Sequence, residues 1–347
     1  MIIRSMAPLR LGLAGGGTDV SPYSELYGGS ILNATINQFA YATIAPAAES
    51  GCVNLYSADR QETETLNATS LLPLNGKLDL LKGIVNRIRQ DFDTGPLSFE
   101  LTTYVDAPPG SGLGSSSTLV TAVIGAFKEW LRLPLGEYDI ARLAYRIERI
   151  DLNYAGGKQD QYSATFGGVN FMEFYADDKV IVNPLRIREE TLKELAFNIV
   201  LYYTGTSRLS SDIIARQQKS IEQKSDAHVQ AMHQTRQMAI MMKEALLQND
   251  LNRLGELMHE GWQYKKKMAA GISNSKIDEI YDAALAAGAS GGKISGAGGG
   301  GYLFFFCPGN SRYHVIERLK QFGGHIHPFQ FTKSGLQSWT VTATAYR

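Results

Sequence analysis

Three glycines and four serines fall within residues 110–117, in the stretch Pro108-Pro109-Gly110-Ser111-Gly112-Leu113-Gly114-Ser115-Ser116-Ser117. Leu119, Val120, Val123, Ile124, Phe127 and Leu131 follow at helical spacing. A glycine-rich loop opening onto a helix presents unpaired backbone N–H groups and the positive end of the helix dipole. Glycine also lets an oxyanion come close to the backbone. The serine hydroxyls can cap the helix, donate to phosphate or touch a metal ion. The chemistry predicted is phosphate binding, although the same letters suit a flexible loop with a serine cap. No Gly-x-x-x-x-Gly-Lys-Ser/Thr occurs, which excludes a P-loop. A second cluster, Gly296-Ala297-Gly298-Gly299-Gly300-Gly301, has the letters of a dinucleotide fingerprint. It is followed by Tyr-Leu-Phe-Phe-Phe-Cys, which reads as a buried strand where that fingerprint requires a helix. A nicotinamide oxidoreductase would rest on these glycines alone.

The elements that must position such a site are those of an ordinary globular chain. The 347 residues are 44% hydrophobic and 20% charged, with a formal net charge of zero, enough for two domains or one large one. No basic stripe interleaved with aromatics appears, so a nucleic-acid partner is not expected. No run approaches membrane-spanning length and no signal-peptide core is present, so no membrane partner is expected. Cys52 and Cys307 give neither a disulfide framework nor metal-ligand spacing, and the default is a cytoplasmic, reduced protein. The six histidines are scattered. The run Lys265-Lys266-Lys267 reads as a solvated helix face, and the methionines at 238–242 as core filler.

Short strands are predicted at 2–6, 9–13, 39–45, 53–57, 97–104 and 169–174, with helices at 82–89, 119–131 and 137–152. The pattern changes after Asn183-Pro184. A strand at 197–203 leads into long helical stretches to about residue 287. Strands near 293–295, 302–307, 326–331 and 339–345 complete the second half, with a helix near 313–322. The fold class expected is α+β, with helices packed on antiparallel sheet. The boundary is placed between domains 1–190 and 191–347.

Three separated segments then align in order. They are Ala7-Pro8-Leu9-Arg10-Leu11-Gly12-Leu13-Ala14-Gly15-Gly16-Gly17-Thr18-Asp19, the 108–117 loop, and Lys293-Ile294-Ser295 with the glycines to 301. Together they resemble the three motifs of the GHMP kinases, named for galactokinase, homoserine, mevalonate and phosphomevalonate kinases. Within that family the first segment, and Tyr203-Thr204-Gly205-Thr206-Ser207-Arg208, are similar to the heptose 7-phosphate kinases and the fucokinase domains. The resemblance implies an N-terminal domain like the second domain of ribosomal protein S5 and a ferredoxin-like C-terminal domain, with the active site between them. It implies ATP and Mg²⁺, and an activity that phosphorylates the anomeric hydroxyl of a heptose 7-phosphate. Alternatives are another sugar 1-kinase, acting on L-fucose or a galactose-like hexose, and a non-catalytic sugar and ATP sensor. The partners implied are small molecules, a sugar phosphate and ATP, with a homodimer allowed for.

Residue by residue, the resemblance maps the catalytic base onto Asp160, within Gly156-Gly157-Lys158-Gln159-Asp160-Gln161, a carboxylate read as lying between glycine-rich turns. It places Arg10 beside that base. ATP phosphates are assigned to Pro109, Gly110, Ser111, Gly112, Leu113, Gly114, Ser115, Ser116 and Ser117. Mg²⁺ is assigned to Ser116 and Glu148, with Asp151 as the alternative to Glu148. Asp19, Gly16, Gly17, Thr18, Gly298 and Gly299 are assigned to substrate. Lys158 and Arg208 are the cations expected to hold a phosphate on the sugar. Without the resemblance, Asp160 reads equally well as a turn cap, and the cations and Glu148 as solvated surface.

Overall fold

The structure, a computed structural model, describes residues 1–206, 211–222 and 226–341. In chain order the strands of the first half are β1 (Ile2–Ala14), β2 (Gly29–Pro46), β3 (Cys52–Ser57), β4 (Glu62–Asn67), β5 (Phe99–Val105), β6 (Val169–Phe174) and β7 (Val180–Pro184). The second half contributes β8 (Ile199–Tyr203), β9 (Gly291–Ile294), β10 (Tyr302–Phe306), β11 (His325–Ile326) and β12 (Gln337–Val341). Among the described residues these strands form two sheets. The larger runs β12-β1-β2-β5-β3-β4, with β6 and β7 attached through β2; the smaller runs β11-β8-β10-β9.

β1 is one continuous strand rather than the two expected. Register shifts against β2 between Pro8 and Arg10 and between Gly12 and Ala14 let the chain bend without breaking the ladder. The sheet is also not wholly antiparallel, because β3 pairs parallel with β5. β4 forms an edge that alternates exposed Thr and Asn with half-buried Glu62 and Glu64, a polar row that discourages further pairing. The helix Ser115–Leu131 lays Val120, Val123, Ile124 and Phe127 on β1 and β2, as the apolar spacing predicts. The expected helix over 137–152 is an α-helix only through Arg146. Residues Ile147–Asp151 widen into a π-turn, with Leu152 N–H donating to Ile147 carbonyl at 3.0 Å.

The helix Glu189–Asn198 leads into β8, which opens the second sheet. The helices Asp226–Leu247 and Leu251–Lys266 pack on each other, and Met238 and Met242 are buried core. The extended stretch expected at 326–331 is paired only at His325–Ile326, plus a single bridge from Phe331 to Ile36. The strand expected at 339–345 is β12 as far as Val341, residues 342–345 lying outside the described ones; it leaves the second half and pairs antiparallel with β1. The chain therefore closes on the sheet where it began.

Candidate active site

The three glycine motifs meet through their backbones. Tyr302 N–H donates to the Ser111 carbonyl at 2.9 Å, Arg10 N–H to Leu113 carbonyl at 3.1 Å, and the Ser295 hydroxyl to Gly112 carbonyl at 2.8 Å. A side chain on Gly112 would collide with the Ser295 carbonyl, and one on Gly301 with that of Ser111. Gly296 and Gly301 are therefore glycine because the backbone there lies on the 108–114 loop. Gly298 and Gly299 face elsewhere: Gly299 N–H donates to Ile272 carbonyl at 2.9 Å, and Gly298 is pressed against that residue's backbone. Gly112 and Gly114 hold φ of 87° and 80°, the left-handed region that leaves glycine little competition. The Ser111 hydroxyl is buried in this loop with no hydrogen-bond partner among the described residues.

Asp160 lies in the first turn of the helix Gln159–Phe166, not between turns as the sequence suggested. That helix starts because Asp19, 140 residues away, accepts Gln159 N–H on Oδ2 at 2.9 Å. The Arg10 Nε and Nη2 both reach Asp160 Oδ1, at 2.8 and 2.7 Å. Arg10 is buried at 3% exposure, and its Nη1 donates to Gly112 carbonyl and to Ser295. Asp160 Oδ2 turns toward the loop, 3.3 Å from where a Cβ on Gly114 would stand. One guanidinium thus ties the carboxylate to the glycine loop.

The Ser116 hydroxyl donates to Glu148 Oε1 at 3.0 Å. Glu148 is fully buried within the π-turn, and its Oε2 accepts from Gln161 Nε2 at 2.6 Å. Cis oxygens around Mg²⁺ at 2.0–2.1 Å stand about 2.9 Å apart. The Ser116–Glu148 pair matches that edge, and a magnesium site normally completes its shell with phosphate oxygens and water. The residues present therefore fit the ion. Asp151 is taken by Arg87, which reaches its two oxygens at 2.7 and 2.6 Å. Arg149 escaped the sequence reading. It donates to Ser117 Oγ at 3.3 Å and lies 3.6 Å from Glu148, so consecutive residues of the π-turn grip consecutive residues of the helix start. The widened turn that aims both side chains leaves no signal in apolar spacing.

Asp19 is 2% exposed, and burial, with the nearby Asp160 charge, pushes its carboxyl up, opposed by the Gln159 and Gly17 N–H groups. The Thr18 hydroxyl donates to Gly15 carbonyl at 2.8 Å. Lys158 is buried with Glu25 and Asp178 at 3.3 and 2.9 Å. Burial works against its charge, but these carboxylates outweigh it and hold its ammonium above the ordinary lysine value. Arg208 lies outside the described residues. Lys265 is not solvated as expected. It is 3% exposed and donates to Gly16 carbonyl at 3.1 Å. Lys293 is also buried and donates to Gly12 carbonyl at 2.8 Å. A signal for Lys265 existed, because it follows Leu254, Met258 and Gly261 on one helical stripe.

The description "GHMP kinases N terminal domain" matches residues 79–168, and "GHMP kinases C terminal" matches 242–325. A D-glycero-alpha-D-manno-heptose 7-phosphate kinase of Campylobacter jejuni is 48% identical over 98% of this chain and 99% of its own. A solved structure described as a D-glycero-D-manno-heptose 1-phosphate kinase from Bacteroides thetaiotaomicron is 44% identical. It superposes with a TM-score of 0.83 over 98% of this chain and all of its own. An L-fucokinase/L-fucose-1-P guanylyltransferase of Bacteroides fragilis is 26% identical over 87% of this chain and 34% of its own. No helix among the described residues is long and apolar enough to cross a membrane.

Proposed function

The chain belongs to the GHMP kinases, and from that premise we propose that it transfers the γ-phosphoryl group of ATP to the anomeric hydroxyl of D-glycero-D-manno-heptose 7-phosphate, giving the 1,7-bisphosphate. One observation carries the catalytic part of this reading: the Arg10–Asp160 pair lies against the glycine loop, whose following helix starts at the Ser116–Glu148 pair. The high identity with a heptose 7-phosphate kinase over nearly the whole of both chains favours that acceptor over L-fucose or galactose. A sensor would need only binding groups, and the buried ion pair aimed at the loop is more than binding requires.

The loop 109–114 and the helix start at 115–117 offer backbone N–H groups and hydroxyls to the ATP phosphates. Mg²⁺, held by Ser116 and Glu148, would neutralise charge on the phosphate oxygens during transfer. Asp160 accepts the proton of the anomeric hydroxyl as its oxygen bonds to the γ-phosphorus and the bond to ADP breaks. Arg10 fixes that carboxylate through Oδ1 and leaves Oδ2 toward the loop. Arg10, paired with Asp160, and Arg149, bonded to Ser117, add positive charge beside the glycine loop and the helix start. Gln161 and Arg149 hold Glu148 in place.

The test is ADP release from the purified protein with ATP and Mg²⁺ against heptose 7-phosphate, heptose 1-phosphate, free heptose, L-fucose and D-galactose. The expected result is preference for the 7-phosphate and a phosphorus spectrum with a new anomeric phosphate. Preference for the 1-phosphate, or for an unphosphorylated hexose, overturns the acceptor assignment.

A further inference from the structure

A cleft of about 1130 Å³ opens away from the three glycine motifs, none of whose residues lines it. It is bounded by the helix Glu189–Asn198 with the chain just before it, by the segment 329–333, and by the turn Phe166-Gly167-Gly168. The segment 329–333 is pinned to β2. Thr332 N–H donates to Thr35 carbonyl and Asn37 N–H to Gln330 carbonyl, both at 2.9 Å. Pockets for organic ligands run to roughly 300–1,000 Å³, so the space admits far more than a simple ion.

The lining is both charged and aromatic. Arg186, Lys193, Arg312 and Lys333 face one carboxylate, Glu189, which leaves the cleft strongly positive. Glu189 is already bonded to Lys193 Nζ at 2.9 Å. Arg312 directs Nη1 to the Phe197 and Ile199 carbonyls, which leave its charge unbalanced. Arg186 and Lys333 are exposed, and their side chains bond no group among the described residues. Phe166, Phe197, Phe329 and Phe331 supply the apolar surface, and Phe197 is 40% exposed. An inorganic anion would meet the charges and leave these rings in water. A fatty carboxylate would cover the rings and bring a single charge. A nucleoside diphosphate offers a flat ring to the phenylalanines and several anionic oxygens to the cations.

We propose that this cleft is a second ligand site, that it takes a polyanion on a flat aromatic body, the chemistry of a nucleotide, and that its occupancy changes turnover. The cleft touches the far end of the helix that carries Asp160. That helix has eight residues, so Asp160 and Phe166 stand about 9 Å apart along its axis. The chain beyond the 329–333 segment holds the same end, with Leu336 N–H donating to Thr165 carbonyl at 3.0 Å. An occupant therefore bears on two elements that fix the helix aiming the base. The effect on turnover rests on the role given to Asp160 above; the binding does not.

Calorimetry tests the binding. UDP and GDP, a pyrimidine and a purine nucleotide, are titrated into the whole protein while a saturating non-hydrolysable ATP analogue fills the glycine loop. Wild type should bind at least one of them. Pyrophosphate and the free nucleosides should bind at least about tenfold more weakly, because each makes only part of the contacts. The double charge reversal Arg186→Glu with Lys333→Glu changes two exposed side chains that hold nothing in the fold, so it should fold and keep its basal rate. It should weaken binding by about 10–100-fold or more, the range for lost charge-assisted hydrogen bonds. No binding by wild type, equal binding of pyrophosphate, or undiminished binding by the double variant overturns the site. Rate measurements at saturating ATP test the coupling. The nucleotide that binds should change kcat by about twofold or more, and the double variant should lose the response. Binding without a change in kcat overturns the coupling. If no sugar supports ADP release, the kinase reading fails and the calorimetry still decides the site.

Discussion

Asp160→Asn preserves side-chain shape while removing the charge that Arg10 holds and the oxygen that would take the acceptor's proton. The two consequences are separable. Arg10 is 3% exposed and directs two N–H groups at Asp160 Oδ1, at 2.8 and 2.7 Å. Removing one partner of a fully buried ion pair costs about 3–5 kcal/mol. Here the carboxylate is 21% exposed, and the guanidinium keeps the Gly112 carbonyl, the Ser295 hydroxyl and the substituted amide as acceptors. The expected loss is therefore about 1–3 kcal/mol, the scale of a hydrogen bond to a charged group. At about 2–4 °C per kcal/mol for units of this size, the melting temperature should fall by roughly 3–10 °C. The variant remains folded at assay temperature. Turnover should fall by about 10²–10⁴, the usual loss of a general base, with ATP affinity unchanged. Thermal scans, ATP titration calorimetry and ADP release under saturating substrates measure the three quantities. A folded variant with kcat within about tenfold of wild type would refute the base assignment. An unchanged melting temperature would refute the claim that Arg10 depends on this carboxylate.

Three further outcomes follow from particular contacts. Gln161→Leu removes the 2.6 Å bond to Glu148 Oε2 and should raise the Mg²⁺ needed for half-maximal rate by about 10–100-fold; Ser116→Ala and Glu148→Gln should raise it too, and unchanged Mg²⁺ titrations in all three would remove the metal assignment. Burial pulls Lys265 down to about 8, so between there and the ordinary lysine value the unfolded chain binds more protons than the folded one, and stability rises with pH across that window. Lys265→Met should lose this share of the rise and melt above wild type at pH 7, the penalty removed being on the order of 3 kcal/mol at most; a melting difference that is negative and constant from pH 7 to 10 would contradict it. Gly114→Ala places a methyl 3.2 Å from Asp160 Cγ at a φ of 80° and should cost at least about 1 kcal/mol of stability while lowering turnover more than ATP binding; normal activity would show that Asp160 does not need this contact.

The sequence by itself determined the parts whose physics is local. The glycine loop and its helix were legible because phosphate approach, left-handed φ and apolar spacing are properties of neighbouring residues. The buried strand after the last glycine cluster excluded a dinucleotide fold for the same reason. Only the tertiary structure decided what depends on distant partners. The helix carrying Asp160 has no strong apolar face, and its first N–H is capped by Asp19, 140 residues away in the chain. Asp151 and Glu148 look interchangeable in the chain, yet Arg87 claims one and Ser116 meets the other. The last strand looks like part of the second half, but its hydrogen bonds go to β1. Lys265 sits in a run of three lysines, and charge alone argues for water; its place on the buried stripe decides otherwise, because helix packing fixes which face is covered before any single side chain is solvated.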